Sequence, residues 1–224
     1  MAKIAEELFL LLLDNGSAQP ALDRPRRTRV LTAAALLDLA YACRIRPAVP
    51  GEPVEAGRLL ALSEPAPNAA PLDPVTEPVL RALRRQPLRP ATVLTKLGKR
   101  TERNLRTHLE QTGEIRRIRV PGRRFRREYA WPLTNRDRVG RARSDVLAAL
   151  FEGQVPAPST AAIITLLHAV DGLGALLSLN DRGWRWVHAR ATEIATGAWV
   201  DEAPSALPEM NLVVTTASVR PALM

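Results

Sequence analysis

A row of basic residues on one predicted helix is the feature of this chain with the clearest chemical meaning. The row consists of Lys99, Arg100, Arg103 and Arg106. Side chains three or four positions apart share one face of a helix. A guanidinium group can make two parallel hydrogen bonds to a phosphate group. The spacing therefore predicts a site that binds phosphate.

An arginine-rich segment follows this row and extends its charge. Apolar and basic residues alternate from Ile115 to Val120, and the chain then turns at Pro121 and Gly122. This pattern predicts a β-hairpin over about residues 115–130. The hairpin carries Arg116, Arg117, Arg119, Arg123, Arg124, Arg126 and Arg127. We expect Arg123 and Arg124 to make further contacts with an anion.

The charge of the chain is unevenly distributed. Residues 81–143 contain 20 Lys or Arg and 5 Asp or Glu, whereas the whole chain has a net charge of +9. Such a field selects a polyanion: a nucleic acid, an anionic membrane or an acidic protein segment. The alternative is an ordinary solvated arginine-rich surface. That alternative is incomplete, because three acids in the helix and hairpin (Glu102, Glu110 and Glu128) are too few to neutralise the segment.

The sequence contains no convincing catalytic constellation. Its three histidines, His108, His168 and His188, lack metal-ligand spacing, and no glycine-rich phosphate loop or nucleophile motif is present. We expect His168 to be a core residue paired with a backbone group. We expect Cys43, the one cysteine, to be a buried and inert thiol within a helix. The interpretation is therefore a binding protein that is not an enzyme and has neither metal nor cofactor.

The elements that position the basic residues are mostly helical. Aromatic residues make up only 4% of the chain, so Leu, Ala and Val must fill the core. We expect Gly98 to break one helix from the next, and two short strands to meet near Pro50 and Gly51. Apolar periodicity predicts helices at about 4–14, 28–46, 76–85, 91–97, 99–112, 134–151, 161–170 and 182–199, with a weaker signal at 207–217.

The predicted architecture is a single domain over residues 1–224. It is mainly α: a compact helical body with one or two small β-hairpins, one of them protruding. The apolar run Leu8–Leu13 is too short for a signal peptide, and no stretch approaches 18 uninterrupted apolar residues. We therefore expect a cytoplasmic protein that meets a membrane only peripherally.

Two functional interpretations of the basic segment remain open at this stage. In one, residues 105–113 and the hairpin form the recognition helix and wing of a winged-helix DNA-binding regulator. Arg100, Arg103 and Arg106 would then contact DNA in the major groove.

The other interpretation rests on a resemblance that runs along the whole chain. Five blocks occur in order at residues 5–14, 34–40 with 44–45, 109–115, 131–133, and 160–171 with 189–194. Over about residues 4–200 they resemble the Golgi phosphoprotein 3 family, in particular its actinobacterial branch. The resemblance implies a helical domain with a protruding hairpin. It also implies a peripheral membrane protein that binds phosphatidylinositol 4-phosphate and the cytoplasmic tails of glycosyltransferases.

Only some residues of the family's lipid pocket have a chemical match in this chain. The pocket uses a Trp and an Arg near the second helix, and these positions fall on Asp23 and Thr32. It also uses two Arg three residues apart before the hairpin. An alignment without gaps places that pair on Lys99 and Glu102, whereas a shift of one residue places it on Arg100 and Arg103.

We therefore expect a peripheral membrane protein that binds an anionic, phosphoinositide-type headgroup from the inner face of the membrane. Arg100 and Arg103 are the predicted headgroup contacts, and Lys99 and Arg106 support them. The hairpin is expected either to insert near the headgroups or to mediate self-association. Cytoplasmic tails of membrane enzymes are expected as further partners.

Overall fold

The computed structural model describes residues 4–62, 73–121, 128–197 and 207–224. Within these ranges the chain is mainly α, with eight α-helices and two small antiparallel sheets, which confirms the predicted fold class. The helices are α1 (Ile4–Leu13), α2 (Arg24–Tyr41), α3 (Glu77–Arg85), α4 (Pro90–Gln111), α5 (Asp137–Phe151), α6 (Pro158–Ala169), α7 (Asp181–Ala195) and α8 (Leu207–Val219).

The helices α1 and α2 form the centre of the body. All six residues of Leu8–Leu13 are at most 1% exposed, and α2 buries every residue from Val30 to Leu37. A helix that is apolar on all sides is stable only when other elements surround it. The helices α2, α4, α5 and α6 pack against α1, so its apolar run is the core of the fold.

A carboxylate on α2 anchors the start of α1. The side chain of Asp38 accepts hydrogen bonds from the backbone N–H groups of Ile4 (2.7 Å) and Ala5 (3.1 Å). Burial raises the pKa of Asp38 to about 7, although these two hydrogen bonds act in the opposite direction. The first N–H groups of a helix have no partner within it, so Asp38 satisfies two backbone groups of α1 that would otherwise lack a partner. Because Asp38 lies on α2, this contact joins the two central helices.

Each sheet is a short hairpin. The strand β1 (Ile45–Pro47) pairs with β2 (Leu59–Ala61), and β3 (Ile118–Val120) pairs with β4 (Glu128–Ala130). An isolated bridge between Ile115 and Leu133 continues the second pairing toward the body. The predicted hairpin at 115–130 is therefore present. The turn of this hairpin lies outside the described residues. Whether the hairpin protrudes depends on that turn and therefore stays a prediction.

The prediction that Gly98 separates two helices is wrong, because α4 runs through it without a break. Gly98 faces α2, where an added Cβ atom would lie 3.3 Å from Cβ of Thr28. The missing side chain lets the two helices approach closely. Gly98 is therefore a packing residue, whereas Gly113, with φ +76°, does end α4 as predicted.

The predicted place of Cys43 within a helix is also wrong. The helix α2 ends at Tyr41, and Cys43 follows with φ +53° in the left-handed region. Its N–H donates to the carbonyl of Ala40, and the N–H of Arg44 donates to that of Leu39. This is the Schellman arrangement, which satisfies the last carbonyl groups of a helix. The thiol is half-buried, and burial raises its pKa.

Candidate anion-binding site

The basic residues of α4 occupy one side of the helix. At about 100° per residue, Lys99, Arg103 and Arg106 lie within about 60°, and Arg100 lies beside them. The opposite side of α4 is buried at Gly98, Leu105 and other residues. Lys99, Arg100 and Arg103 are exposed to solvent. The predicted row therefore forms one outward surface, which we call the basic face of α4 (Lys99, Arg100, Arg103 and Arg106).

The basic residues of this face and the arginines that flank it in the sequence differ in whether they pair with acids. Within the described residues, Lys99, Arg100 and Arg103 form no ion pair with an acid. Arginines on either side of the segment do pair with acids of the body. These pairs are Arg89–Glu55, Arg138–Glu6 (2.9 Å), Arg138–Glu114 (3.1 Å) and Arg143–Asp14 (3.0 Å). Acids therefore neutralise part of the flanks, whereas Lys99, Arg100 and Arg103 have no acidic partner among the described residues.

Arg106, the fourth member of the face, contacts the hairpin. Its guanidinium carbon lies 4.8 Å from the centroid of the Trp131 ring. The indole N–H of Trp131 donates to Oε1 of Glu110 at 2.7 Å. The backbone N–H of Trp131 donates to the carbonyl of Ala18, which ties the same residue to the loop after α1. Trp131 thus holds the base of the hairpin against α4.

A second arginine is stacked on the same side of the hairpin. The guanidinium carbon of Arg117 lies 3.7 Å from the centroid of the Tyr129 ring, and that ring lies 6.5 Å from Trp131. Arg119 is the partner of Tyr129 in the β3–β4 register. Because side chains two apart on a strand share a face, this surface combines two aromatic rings with two further cations. A stacked guanidinium keeps its N–H groups in the plane of the fork, where they can bind phosphate.

Two predicted contacts cannot be placed in this arrangement. Arg123 and Arg124 lie in the segment 122–127, outside the described residues.

Three positions that align with the family's lipid pocket, Glu102, Thr32 and Asp23, have structural roles here. Glu102 is 7% exposed and accepts a hydrogen bond from Nε of Arg27 at 3.0 Å. Thr32 is 0% exposed, and its hydroxyl donates to the carbonyl of Thr28. Asp23 caps α2 by accepting from the N–H of Arg26. Of the two alignments, only the shifted one places two exposed cations three residues apart, at Arg100 and Arg103.

Sequence reasoning missed the stacking residues Trp131 and Tyr129. Trp131 entered only as part of a family block, and Tyr129 was not singled out. The available signal was their spacing of two on a predicted strand that pairs with an arginine-rich one. Such spacing places both rings on the face that carries Arg117 and Arg119.

No metal centre is present in the described parts of the chain, where no three His, Cys, Asp or Glu side chains form a suitable group. His168 lies on α6 as predicted, but it is half-buried and not a core residue. Its Nε2 contacts the hydroxyl of Thr192 at 3.2 Å, so the predicted backbone partner is wrong as well. Burial lowers the pKa of His168, and the nearby His188 and Arg220 act in the same direction. This environment favours a neutral, structural imidazole.

One cavity shares no lining residue with the basic face. It has a volume of about 230 Å³ and lies between the β1–β2 hairpin and α8. Its lining is apolar apart from Asn211, the Cys43 thiol and Arg46, which pairs with Glu52. Leu207, an exposed residue of α8, forms part of its rim.

The fold and this surface define a mainly helical protein with a cationic face beside a basic hairpin, and among the described residues Lys99, Arg100 and Arg103 of that face have no acidic partner. The chain belongs to the Golgi phosphoprotein 3 (GPP34) family, whose family model matches residues 4–209. The family recognised from the five sequence blocks is thereby confirmed. A search of curated proteins found no match. Among the described helices, none has both the length and the apolar character needed to cross a membrane.

Proposed function

We propose that this chain is a peripheral membrane protein that binds the phosphate of an anionic lipid headgroup through the basic face of α4. Membership of the Golgi phosphoprotein 3 family is consistent with a non-catalytic peripheral adaptor. The single observation that carries the proposal is the absence of an ion pair at Lys99, Arg100 and Arg103 within the described residues. Arg100 and Arg103 contact the headgroup, and Lys99 and Arg106 flank it.

The expected attraction is sufficient for reversible attachment. Each basic residue near an anionic membrane contributes about 1 kcal/mol at low screening. The four residues of the basic face therefore contribute about 4 kcal/mol together, to which the hairpin arginines Arg117 and Arg119 add. The binding weakens with salt, because exposed charges are screened over about 8 Å at physiological ionic strength.

The winged-helix alternative gains no support from α4. A helix-turn-helix unit needs two helices that cross at a steep angle and are joined by a short turn. The predicted break at Gly98 does not supply that turn, because α4 is continuous over 22 residues, and α3, which residues 86–89 connect to α4, packs against α2 and β2. DNA binding is therefore tested as an alternative outcome and is not proposed.

The same proposal includes protein partners for the chain when it is bound to a membrane. As an adaptor, the chain would hold the cytoplasmic tails of membrane enzymes at the inner face of the membrane. Self-association through the hairpin stays a prediction, since the turn of the hairpin lies outside the described residues.

Co-sedimentation with vesicles tests the lipid proposal. The vesicles contain phosphatidylcholine alone, phosphatidylcholine with phosphatidylserine, or phosphatidylcholine with phosphatidylinositol 4-phosphate at the same total charge. Replacing both Arg100 and Arg103 with Ala removes about 2 kcal/mol, which is a loss of about 30-fold in partition.

The matched control replaces Arg182 and Arg185 on α7 with Ala. These arginines are also three residues apart and exposed, so the control has the same change in net charge. An equal loss in both double variants would show that binding reports only the total charge. Failure of the wild type to bind any anionic vesicle at about 0.15 M salt contradicts the proposal. Tight binding to a particular duplex DNA that survives this salt concentration would favour the regulator instead.

A further inference from the structure

One acid on α4 is placed where it would ordinarily neutralise the basic face. Glu110 follows Arg106 by four residues, and side chains with this spacing are neighbours on a helix surface. Arg106 is half-buried, and so is Glu110. Yet no ion pair joins them within the described residues.

Trp131 engages both of these side chains at once. Its indole N–H donates to the Glu110 carboxylate at 2.7 Å, while its ring face receives the Arg106 guanidinium at 4.8 Å from the centroid. The carboxylate thus has a neutral donor in place of the arginine. The guanidinium has an aromatic surface in place of a carboxylate, which leaves its charge uncompensated and its N–H edges available.

We propose that Trp131 is a positioning residue that keeps Glu110 from neutralising Arg106, and so sets the affinity of the basic face for phosphate. This inference rests on the proposed function, because the affected property is anion binding. Without the indole N–H, Glu110 turns toward Arg106 and the site loses the effect of one cation. The ligand class is a phosphomonoester, carried either by a lipid headgroup or by a soluble molecule.

A double-mutant cycle tests the coupling. Trp131→Phe retains a ring for Arg106 but removes the N–H, and Glu110→Gln removes the carboxylate charge. Trp131→Phe is expected to weaken binding by about fivefold, which corresponds to one basic residue near an anionic surface. Glu110→Gln is expected to restore that loss in the Trp131→Phe background and to change the wild type by less than about twofold.

The cycle is measured with two probes that separate the sources of phosphate. One is a phosphatidylcholine vesicle containing phosphatidylinositol 4-phosphate, and the other is soluble inositol 1,4-bisphosphate. Trp186→Phe is the matched control. Trp186 is exposed on α7 and donates its indole N–H to the carbonyl of Leu150 at 3.2 Å, so the control makes the same chemical change elsewhere.

A second readout does not require anion binding. In Trp131→Phe the Nε–H proton resonance of Arg106 is expected to move downfield as the carboxylate pairs with it, and to return when Glu110→Gln is added. Equal effects of Glu110→Gln in both backgrounds, or an unmoved Arg106 resonance, overturn the inference. Loss of wild-type binding to both probes, with the Arg106 resonance shift retained, contradicts the proposed function and the effect of Trp131 on affinity, but supports the separation of Arg106 from Glu110 by Trp131.

Discussion

The buried ion pair between α2 and α4 provides the sharpest test of how the basic face is supported. The side chains of Arg27 and Glu102 are 15% and 9% exposed, and Nε of Arg27 donates to Oε1 of Glu102 at 3.0 Å. Arg27 also donates through Nη1 to the carbonyl of Leu22 at 2.9 Å. Replacing Glu102 with Gln keeps one oxygen that can accept from Arg27 but removes the balancing charge.

The expected cost of Glu102→Gln is about 2 kcal/mol of the free energy of unfolding. Removing one partner of a buried pair costs about 3–5 kcal/mol, and the hydrogen bond that Gln retains offsets about 1 kcal/mol or more of this. For a protein of this size the midpoint of thermal unfolding should fall by about 4–8 °C. Urea unfolding and calorimetry measure both quantities.

The control is Glu55→Gln, which makes the same substitution at a surface pair. Glu55 is 49% exposed and contacts Arg58 and Arg89, so its loss should cost less than about 1 kcal/mol. Replacing both members of the buried pair, with Arg27→Met and Glu102→Leu together, should recover most of the loss. If Glu102→Gln is no more destabilising than Glu55→Gln, the pair does not stabilise the packing of α4 on α2.

Two further predictions concern helix packing and pH. Gly98→Ala should stabilise the protein less than Gly140→Ala, because a Cβ atom at Gly98 meets Thr28 whereas one at Gly140 meets nothing within 4 Å; the exposed site should gain about 0.8 kcal/mol. Equal gains in urea unfolding would contradict the close packing of α2 and α4. The raised pKa of Asp38, about 7, favours its protonated form in the folded state. Its contribution to stability is therefore complete below about pH 4 and is lost as the pH rises through about 7, with a slope of up to about 1.4 kcal/mol per unit. Asp38→Asn should remove this slope between pH 4 and 7, and an unchanged slope would show that other groups produce it.

The elements of this protein could be predicted from local patterns. The apolar run of α1, the alternating residues of the β3–β4 hairpin and the terminating Gly113 each depend on neighbours in the sequence, and the structure confirms all three. Gly98 illustrates the limit of such reasoning. A glycine within a helical pattern is equally compatible with a break or with a close contact, and Thr28, on another helix, decides between them.

The same limit applies to the candidate site. The sequence places 20 Lys or Arg in residues 81–143, but it does not say which of them are neutralised. Arg143 pairs with Asp14 and Arg138 with Glu6, each about 130 positions away. Such pairs form only when α5 packs beside α1. For the same reason Glu102, an apparent surface residue of an amphipathic helix, becomes a buried partner of Arg27.

The amino-acid sequence by itself determined the helical class of the fold, the position of the basic hairpin, the family and the excess of positive charge in one segment. These properties depend on composition and on short-range spacing, which a linear chain already contains. Only the tertiary structure decided which cations pair with acids and which aromatic residue contacts both Arg106 and Glu110. Those outcomes depend on distances between residues that are remote in sequence, and packing of the helices is what sets those distances.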